Sequence, residues 1–406
     1  MSSSRNNMEA LVARVLVIGG TGYLGSLICA TLLETTRDIV VLAARPGHER
    51  DGIVARLRME MSAAGDAGGK ALERLRIAPL PAPGDRRGFH ALFRENRIDQ
   101  LINCAGAVHY FDVNALKESN VDLVNDLIAA AREVGLERFI HISTAFACGF
   151  SNEIAHEALL PEPEADPTEY TRFKRRAEYL VAESGLPFLI LRPSIVIGDS
   201  RDAHYFGPAY GLYQYWASFA KFMMSRYRET IHVVASERPL PLVHQDAFIA
   251  TLLAAREGLT DDSFVNIVSP DEGLPNVRSL WRLYCDLVVR PHELVCHDSV
   301  DAAPVESLDA RHKAFLGATA VNSEISGWEW RFETTNRDRL IAEGLVFPPV
   351  TLDSVRKCQS RFVATSPATR LYMEKFEALF PEAPQEPRAR ERASVFADEE
   401  EERFLL

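Results

Sequence analysis

The stretch that decides the fold is RVLVIGGTGYLGSLICATLL, residues 14–33. Residues 15–18 are an apolar, β-favouring run, and residues 24–33 read as a helix, so GGTGYLG is the turn that joins a strand to a helix. A glycine triplet alone is a weak signal. In this strand–turn–helix setting it marks a site for the pyrophosphate of a dinucleotide. Gly19 permits the tight turn, Gly22 lets backbone approach the phosphates, and Gly25 allows close helix–sheet packing. The helix N-terminus then faces the anion. Thr21, Tyr23 and Leu24 complete the loop and are expected at the cofactor with the three glycines.

Working outward, short apolar runs at 39–43, 75–78, 100–103, 138–142 and 187–191 alternate with amphipathic stretches. That alternation predicts an α/β, doubly wound parallel sheet of the Rossmann type. Residues 114–134 read as a helix that Gly135 stops. Two features exceed a minimal core. One is a basic helix over 53–61 followed by a small-residue loop at 65–69. The other is an irregular, aromatic stretch after Arg192. Residues 205–222 carry eight aromatic rings. They read equally as core packing or as the wall of an apolar substrate pocket, with membrane-surface contact a lesser option. The expected organisation is a lead-in over 1–12 and a nucleotide-binding domain over 13–200, with 232–268 returning to it. A smaller, interleaved substrate lobe would comprise 201–231 and 269–380, and 381–406 would be a flexible acidic tail.

The end of the second strand, VVLAARPGH at 40–48, bears on which dinucleotide is bound. A carboxylate there accepts the ribose hydroxyls of NAD. Here the position offers Arg45, with no carboxylate before Glu49, and arginine pairs with a 2′-phosphate. NADP(H) is therefore expected. The chemistry sits in YTRFK at 170–174, where Tyr170 and Lys174 stand one helical turn apart in the chain's single YxxxK. A phenol titrates near ~10 in water, and a neighbouring ammonium favours the phenolate and eases proton exchange. Thr144, at the end of the 138–142 strand, can hydrogen-bond a carbonyl oxygen on which charge develops.

Composition excludes several classes. Of the 406 residues 47% are hydrophobic and 25% charged, an ordinary globular balance with ample core. A net charge of −12 argues against general nucleic-acid binding. No apolar run is long enough to span a bilayer, and residues 1–14 lack the apolar region of a secretory signal. Six cysteines show no CxxC pair, which suits free thiols in a reducing cytoplasm. His292, Cys296 and His297 lie close in sequence, but nothing completes a tetrahedral set, so no metal is expected.

GGTGYLG, NCAG (103–106), HISTAFA (141–147), YTRFK and LRPSIV (191–196) occur in the order found in extended short-chain dehydrogenases/reductases, and the chain resembles that superfamily over about residues 14–270. Within it, the basic insertion, the STA triplet, RPSIV and WEWRFETTNRDRL (328–340) resemble the fatty acyl-CoA reductase and thioester reductase branch. The resemblance implies catalysis by Thr144, Tyr170 and Lys174, with Tyr170 and Lys174 also touching the cofactor. It places Gly19, Gly22, Gly25 and Arg45 at the phosphates, Asp85 near the adenine, and Asn103, Ala105 and Gly106 near the adenosine ribose. Pro193 and Ser194 fall at the nicotinamide edge. PLVHQDAF (241–248) resembles the segment that returns to the sheet, while Cys104 stands where alanine is usual and the proline-rich PLPAPG before Asp85 departs from the pattern. The implied activity is NADPH-dependent reduction of a carbonyl in a hydrophobic substrate, an acyl thioester on CoA or a carrier protein. The rivals are a ketone or oxidised-ring reductase, a nucleotide-sugar epimerase or reductase, and an NADP-sensing regulatory protein.

Overall fold

The computed structural model describes residues 12–61, 66–107, 112–223, 229–287, 293–379 and 381. The expected lead-in and tail, apart from their innermost residues, lie outside the described residues, as does His292. Eleven strands occur among the described residues: β1 (Arg14–Ile18), β2 (Ile39–Ala44), β3 (Leu75–Pro79), β4 (Gln100–Asn103), β5 (Arg138–Ile142), β6 (Phe188–Pro193), β7 (Ile195–Ile197), β8 (Thr230–Val234), β9 (Leu242–His244), β10 (Ser263–Ile267) and β11 (Glu293–His297). Seven form one sheet in the order β10-β6-β5-β4-β1-β2-β3. β1 pairs in parallel with both β2 and β4, setting Leu16 beside Val41 and Leu101. The strand order therefore reverses at β1, and the glycine turn leaves from that switch point. Residues 15–18 are wholly buried, which is why the run is continuously apolar rather than alternating.

The chain divides into two compact units. One comprises Met1–Ser143, Arg172–Leu191 and Leu259–Phe264, and the other Thr144–Thr171, Arg192–Gly258 and Val265–Leu406. The division falls earlier than the boundary expected after residue 200, so residues 144–171 pack with the second unit. The first unit's core gathers Leu16, Phe89, Phe93, Leu127, Phe139 and Phe188. The second is built on Tyr213, Trp216, Phe219, Trp281, Tyr284 and Phe315.

Several local expectations change. Within residues 65–69, Asp66 onward begins the helix Asp66–Leu72 rather than a loop, because Ala71 and Leu72 have apolar surface to bury. The helix expected over 114–134 carries a π turn at Glu118–Asp122 between Val113–Lys117 and Leu123–Val134. Gly135 ends it with φ 68°, in the left-handed conformation expected of a helix stop. Of the segment 241–248, Leu242–His244 pairs with β7 in a separate two-stranded sheet, and it is β10 that joins the large sheet. In the aromatic stretch the rings from Tyr213 to Phe219 pack on one another and on Trp281 and Phe315, edge-to-face except for the tilted Phe219–Trp281 pair. Trp216 is 1% exposed, so this part of the stretch is core and not a pocket wall.

Candidate active site

The glycine turn shows which of its glycines serve the fold and which leave room. Gly19 has φ +83°, and a Cβ there would meet the Ala105 backbone nitrogen at 2.6 Å. At Gly25 a Cβ would run into the backbone of Gly19 and Gly20. Gly22 differs: the one atom near a Cβ would be the Gly19 carbonyl oxygen, at 3.3 Å. Packing hardly requires glycine there, whereas close approach of a phosphate does. Gly22 is also the N-cap of the helix Tyr23–Thr35, and no side chain caps that end. An uncapped helix start facing open space fits a dinucleotide pyrophosphate. Thr21, Tyr23 and Leu24 lie half-buried around it, and Arg45 is exposed just past β2.

Asp85 has a local task. It is the N-cap of the helix Arg86–Asn96, where its Oδ1 accepts from the Gly88 nitrogen at 2.9 Å. Asn103 is fully buried at the end of β4. Its Oδ1 accepts from the Ala105 nitrogen at 3.2 Å, and its Nδ2 lies 3.3 Å from His141 Nδ1. That turn carries Ala105 and exposes Gly106. Cys104 does more than fill space, since its thiol donates to the Ile18 carbonyl at 3.0 Å and tethers the turn to β1. Burial pushes the Cys104 thiol up to about 12, against the pull of the Lys174 ammonium, so it stays protonated.

Tyr170 and Lys174 both lie on the helix Glu169–Ala182. Lys174 is 4% exposed, and its Nζ donates to the Ile142 carbonyl at 2.9 Å. Burial pushes its pKa down to about 8, partly countered by the Glu178 carboxylate. Burial, followed by the Lys174 charge, holds His141 well below the usual imidazole range, so His141 is neutral. A Cβ on Gly106 would meet Asn120 Oδ1 at 2.5 Å and Lys174 Nζ at 3.3 Å. Glycine at 106 thus keeps open the place where those two polar atoms point. Asn120 was not singled out from sequence. It sits in the π turn, where its Nδ2 donates to Leu116 and Ala107 carbonyls and its buried Oδ1 has no hydrogen-bond partner among the described residues. π turns often occur at functional sites, but nothing in the helical period announces one.

In the second unit, Thr144 is buried and caps the 3₁₀ turn Ala145–Cys148, its Oγ1 accepting from the Phe146 nitrogen at 3.4 Å. Ser194, after Pro193 at the end of β6, donates its backbone N–H to the Ile267 carbonyl at 3.0 Å. Its buried Oγ has no hydrogen-bond partner among the described residues. An apolar group follows Thr144: Phe146 and Trp330 are buried, with Phe150, Ile195, Trp328 and Phe332 packed half-buried against them. Phe150 and Trp328 lie 4.9 Å apart between ring centres.

Residues 15–210 match the family model described as the NAD dependent epimerase/dehydratase family. Over that stretch the chain is similar to the extended short-chain dehydrogenases/reductases. A curated relative, dTDP-6-deoxy-L-talose 4-dehydrogenase (NAD(P)(+)) of Kitasatospora kifunensis, is 27% identical over 197 residues. The match covers 47% of this chain and about half, 55%, of that protein. Among solved structures, the terminal R domain from the myxalamid PKS-NRPS biosynthetic pathway superposes with a TM-score of 0.68 at 18% identity. It covers 87% of this chain and 91% of its own. A thiolation-reductase di-domain from an archaeal non-ribosomal peptide synthetase superposes at 0.63 with 16% identity, covering 91% and 76%. At those identities the likeness is one of fold.

Proposed function

We propose that the protein is an NADPH-dependent reductase that reduces a carbonyl of a hydrophobic substrate, with an acyl thioester as the preferred class. The observation that carries the reading is the buried Lys174 ammonium, anchored to Ile142 one helical turn after Tyr170 and facing Gly106 with Asn120. A lysine buried at this energetic cost, beside a solvent-facing glycine, is a functional arrangement more than a structural one.

With the dinucleotide bound, hydride would pass from its nicotinamide ring to the carbonyl carbon. Tyr170 gives its hydroxyl proton to the oxygen, and Thr144 donates a hydrogen bond to that oxygen as charge builds. Lys174 binds the ribose and keeps the Tyr170 phenolate accessible. For a thioester the product is a hemithioacetal, which loses the thiol to give an aldehyde. A second NADPH would take the aldehyde to an alcohol. Arg45 supports NADPH over NADH, since it stands past β2 where a carboxylate would repel a 2′-phosphate.

Support for the thioester comes from the motifs shared with that branch and from the fold of the two reductase neighbours. The half-buried Phe150 and Trp328 beyond Thr144 suit an apolar group. The sugar dehydrogenase relative favours a second reading, oxidation or reduction of a nucleotide-linked sugar. An NADPH-oxidation screen over acyl-CoAs, free aldehydes, hydrophobic ketones and nucleotide sugars separates them. Turnover of acyl-CoAs that improves with chain length is expected, at roughly 0.8 kcal/mol per buried methylene until the site is full. Activity confined to nucleotide sugars would remove the thioester, and NADPH binding with no turnover of any substrate would make the protein a sensor.

A further inference from the structure

The segment that joins Thr144 to Tyr170 has almost no regular structure of its own, yet it carries a proposed reacting group at each end. Its base is closed by the Phe150–Ala165 bridge and by Gly149, whose lack of a Cβ lets it pass against Pro163. Its far end, residues 155–158, is gripped from three directions within the second unit. Arg192, fully buried at the end of β6, donates to the His156 and Ala158 carbonyls at 2.8 Å each. Asn266 of β10 donates through Nδ2 to the Ala155 carbonyl at 2.8 Å. The 328–336 stretch adds a parallel bridge, with the Ala155 nitrogen donating to Arg331 and the Glu333 nitrogen donating to Ala155.

Glu157 is the loop's own reply. Its Oε1 accepts from the Asn266 backbone nitrogen at 2.9 Å and its Oε2 from the Asn336 backbone nitrogen at 2.7 Å. Its own nitrogen donates to Glu333 Oε2 at 3.0 Å. We infer that Glu157 is a positioning residue: its ionised carboxylate pins the Thr144–Tyr170 segment to β10 and to the 328–336 stretch, and so sets where Thr144 and Tyr170 meet the substrate. The inference rests on the proposed roles of those two residues.

Two N–H donors suit a carboxylate and not a carboxylic acid, whose own proton would displace one of them. The charged groups facing Glu157 are Glu333 from the 328–336 stretch and Arg192 from β6, with His156 on its own loop bound to Glu333 at 3.0 Å. Burial pushes Glu157 up to about 7; Glu333 adds to the rise, while the two N–H donors and Arg192 oppose it. Raised above its ordinary value, the group takes stability away as pH climbs from the usual carboxylate range through about 7. Yet it completes the clamp only over that same rise. Positioning and stability oppose each other at this residue.

The test compares wild type with Glu157→Gln and Glu157→Asp in the full chain. For Gln, kcat is expected to fall between about tenfold and 100-fold, the scale of a small misplacement of reacting groups. KM and NADPH affinity should change by less than about twofold, since a positioning loss acts on kcat. Wild-type kcat should drop as pH falls through about 7, Asp should keep that limb, and Gln should flatten it. Hydrogen exchange reads the clamp without any substrate: in Gln, the amides of Ala155, Glu157, Asn266 and Asn336 should lose protection while the rest of the unit keeps it. Wild-type kcat and unchanged protection in Gln would overturn the inference, as would loosening spread evenly over the second unit. If wild type turns over no substrate, the reductase reading fails by itself, and unaltered exchange at those four amides would still refute the clamp.

Discussion

The two units solve the problem of holding a site in opposite ways. In the first, each candidate residue is placed by the element it belongs to. Gly19, Gly22 and Gly25 follow β1, Asn103 ends β4, and Lys174 rides a helix and hydrogen-bonds β5. In the second, Thr144 begins an irregular segment held by side chains from β6, β10 and residues 328–336. Local backbone geometry suffices for a dinucleotide of fixed shape. A substrate region that varies among enzymes of one fold is carried by loops and must be held by long-range polar contacts.

The largest effect expected is on chemistry. Tyr170→Phe should lower kcat by about 10²–10⁴-fold with NADPH affinity nearly unchanged, while Lys174→Ala should damage both. A Tyr170→Phe variant with near-normal turnover would sink the proton-transfer role. Next comes Trp216→Ala, at a cost of about 3–5 kcal/mol in denaturant unfolding, because the ring is packed within the second unit's core. A small loss there, with altered substrate preference, would return that ring to a pocket wall.

Two glycines and an arginine sharpen the contrast inside the first unit. Gly25→Ala should lower Tm, since its Cβ meets backbone, whereas Gly22→Ala should leave Tm in place and weaken NADPH binding. Equal loss of Tm in both would mean that the turn is a packing motif only. Arg45→Ala should erode the preference for NADPH over NADH by about tenfold, the worth of one charge-assisted contact. Wild-type protein that binds NADH equally well would end the NADP assignment.

The smallest effect concerns alkaline pH. With its pKa depressed to about 8 by burial, Lys174 loses its charge as pH rises through that value, and kcat should decline there. Stability moves the other way. Between about 8 and the ordinary lysine range the unfolded chain binds the proton that the folded chain has shed, so unfolding becomes harder as pH rises. Titration of kcat and of the denaturation midpoint over pH 7–10 measures both, and a Lys174→Met variant should lack both trends.

Much of the first unit was legible because its determinants are local. The glycine spacing and the apolar runs of β1, β2, β4 and β5 each act over a few neighbouring residues, and the structure places them accordingly. The π turn that aims Asn120 toward Gly106 was not legible, because one extra residue in a helical turn leaves no mark on apolar periodicity. In the aromatic stretch, sequence alone could not choose between core and pocket. A ring buried against Trp281 and Phe315 and a ring facing a ligand have the same composition, and only the packing of distant helices tells them apart. The clamp on residues 155–158 is the extreme case. Glu157 meets partners 109 and 179 positions away, so its role was decided by tertiary structure, through hydrogen bonds that no local pattern encodes.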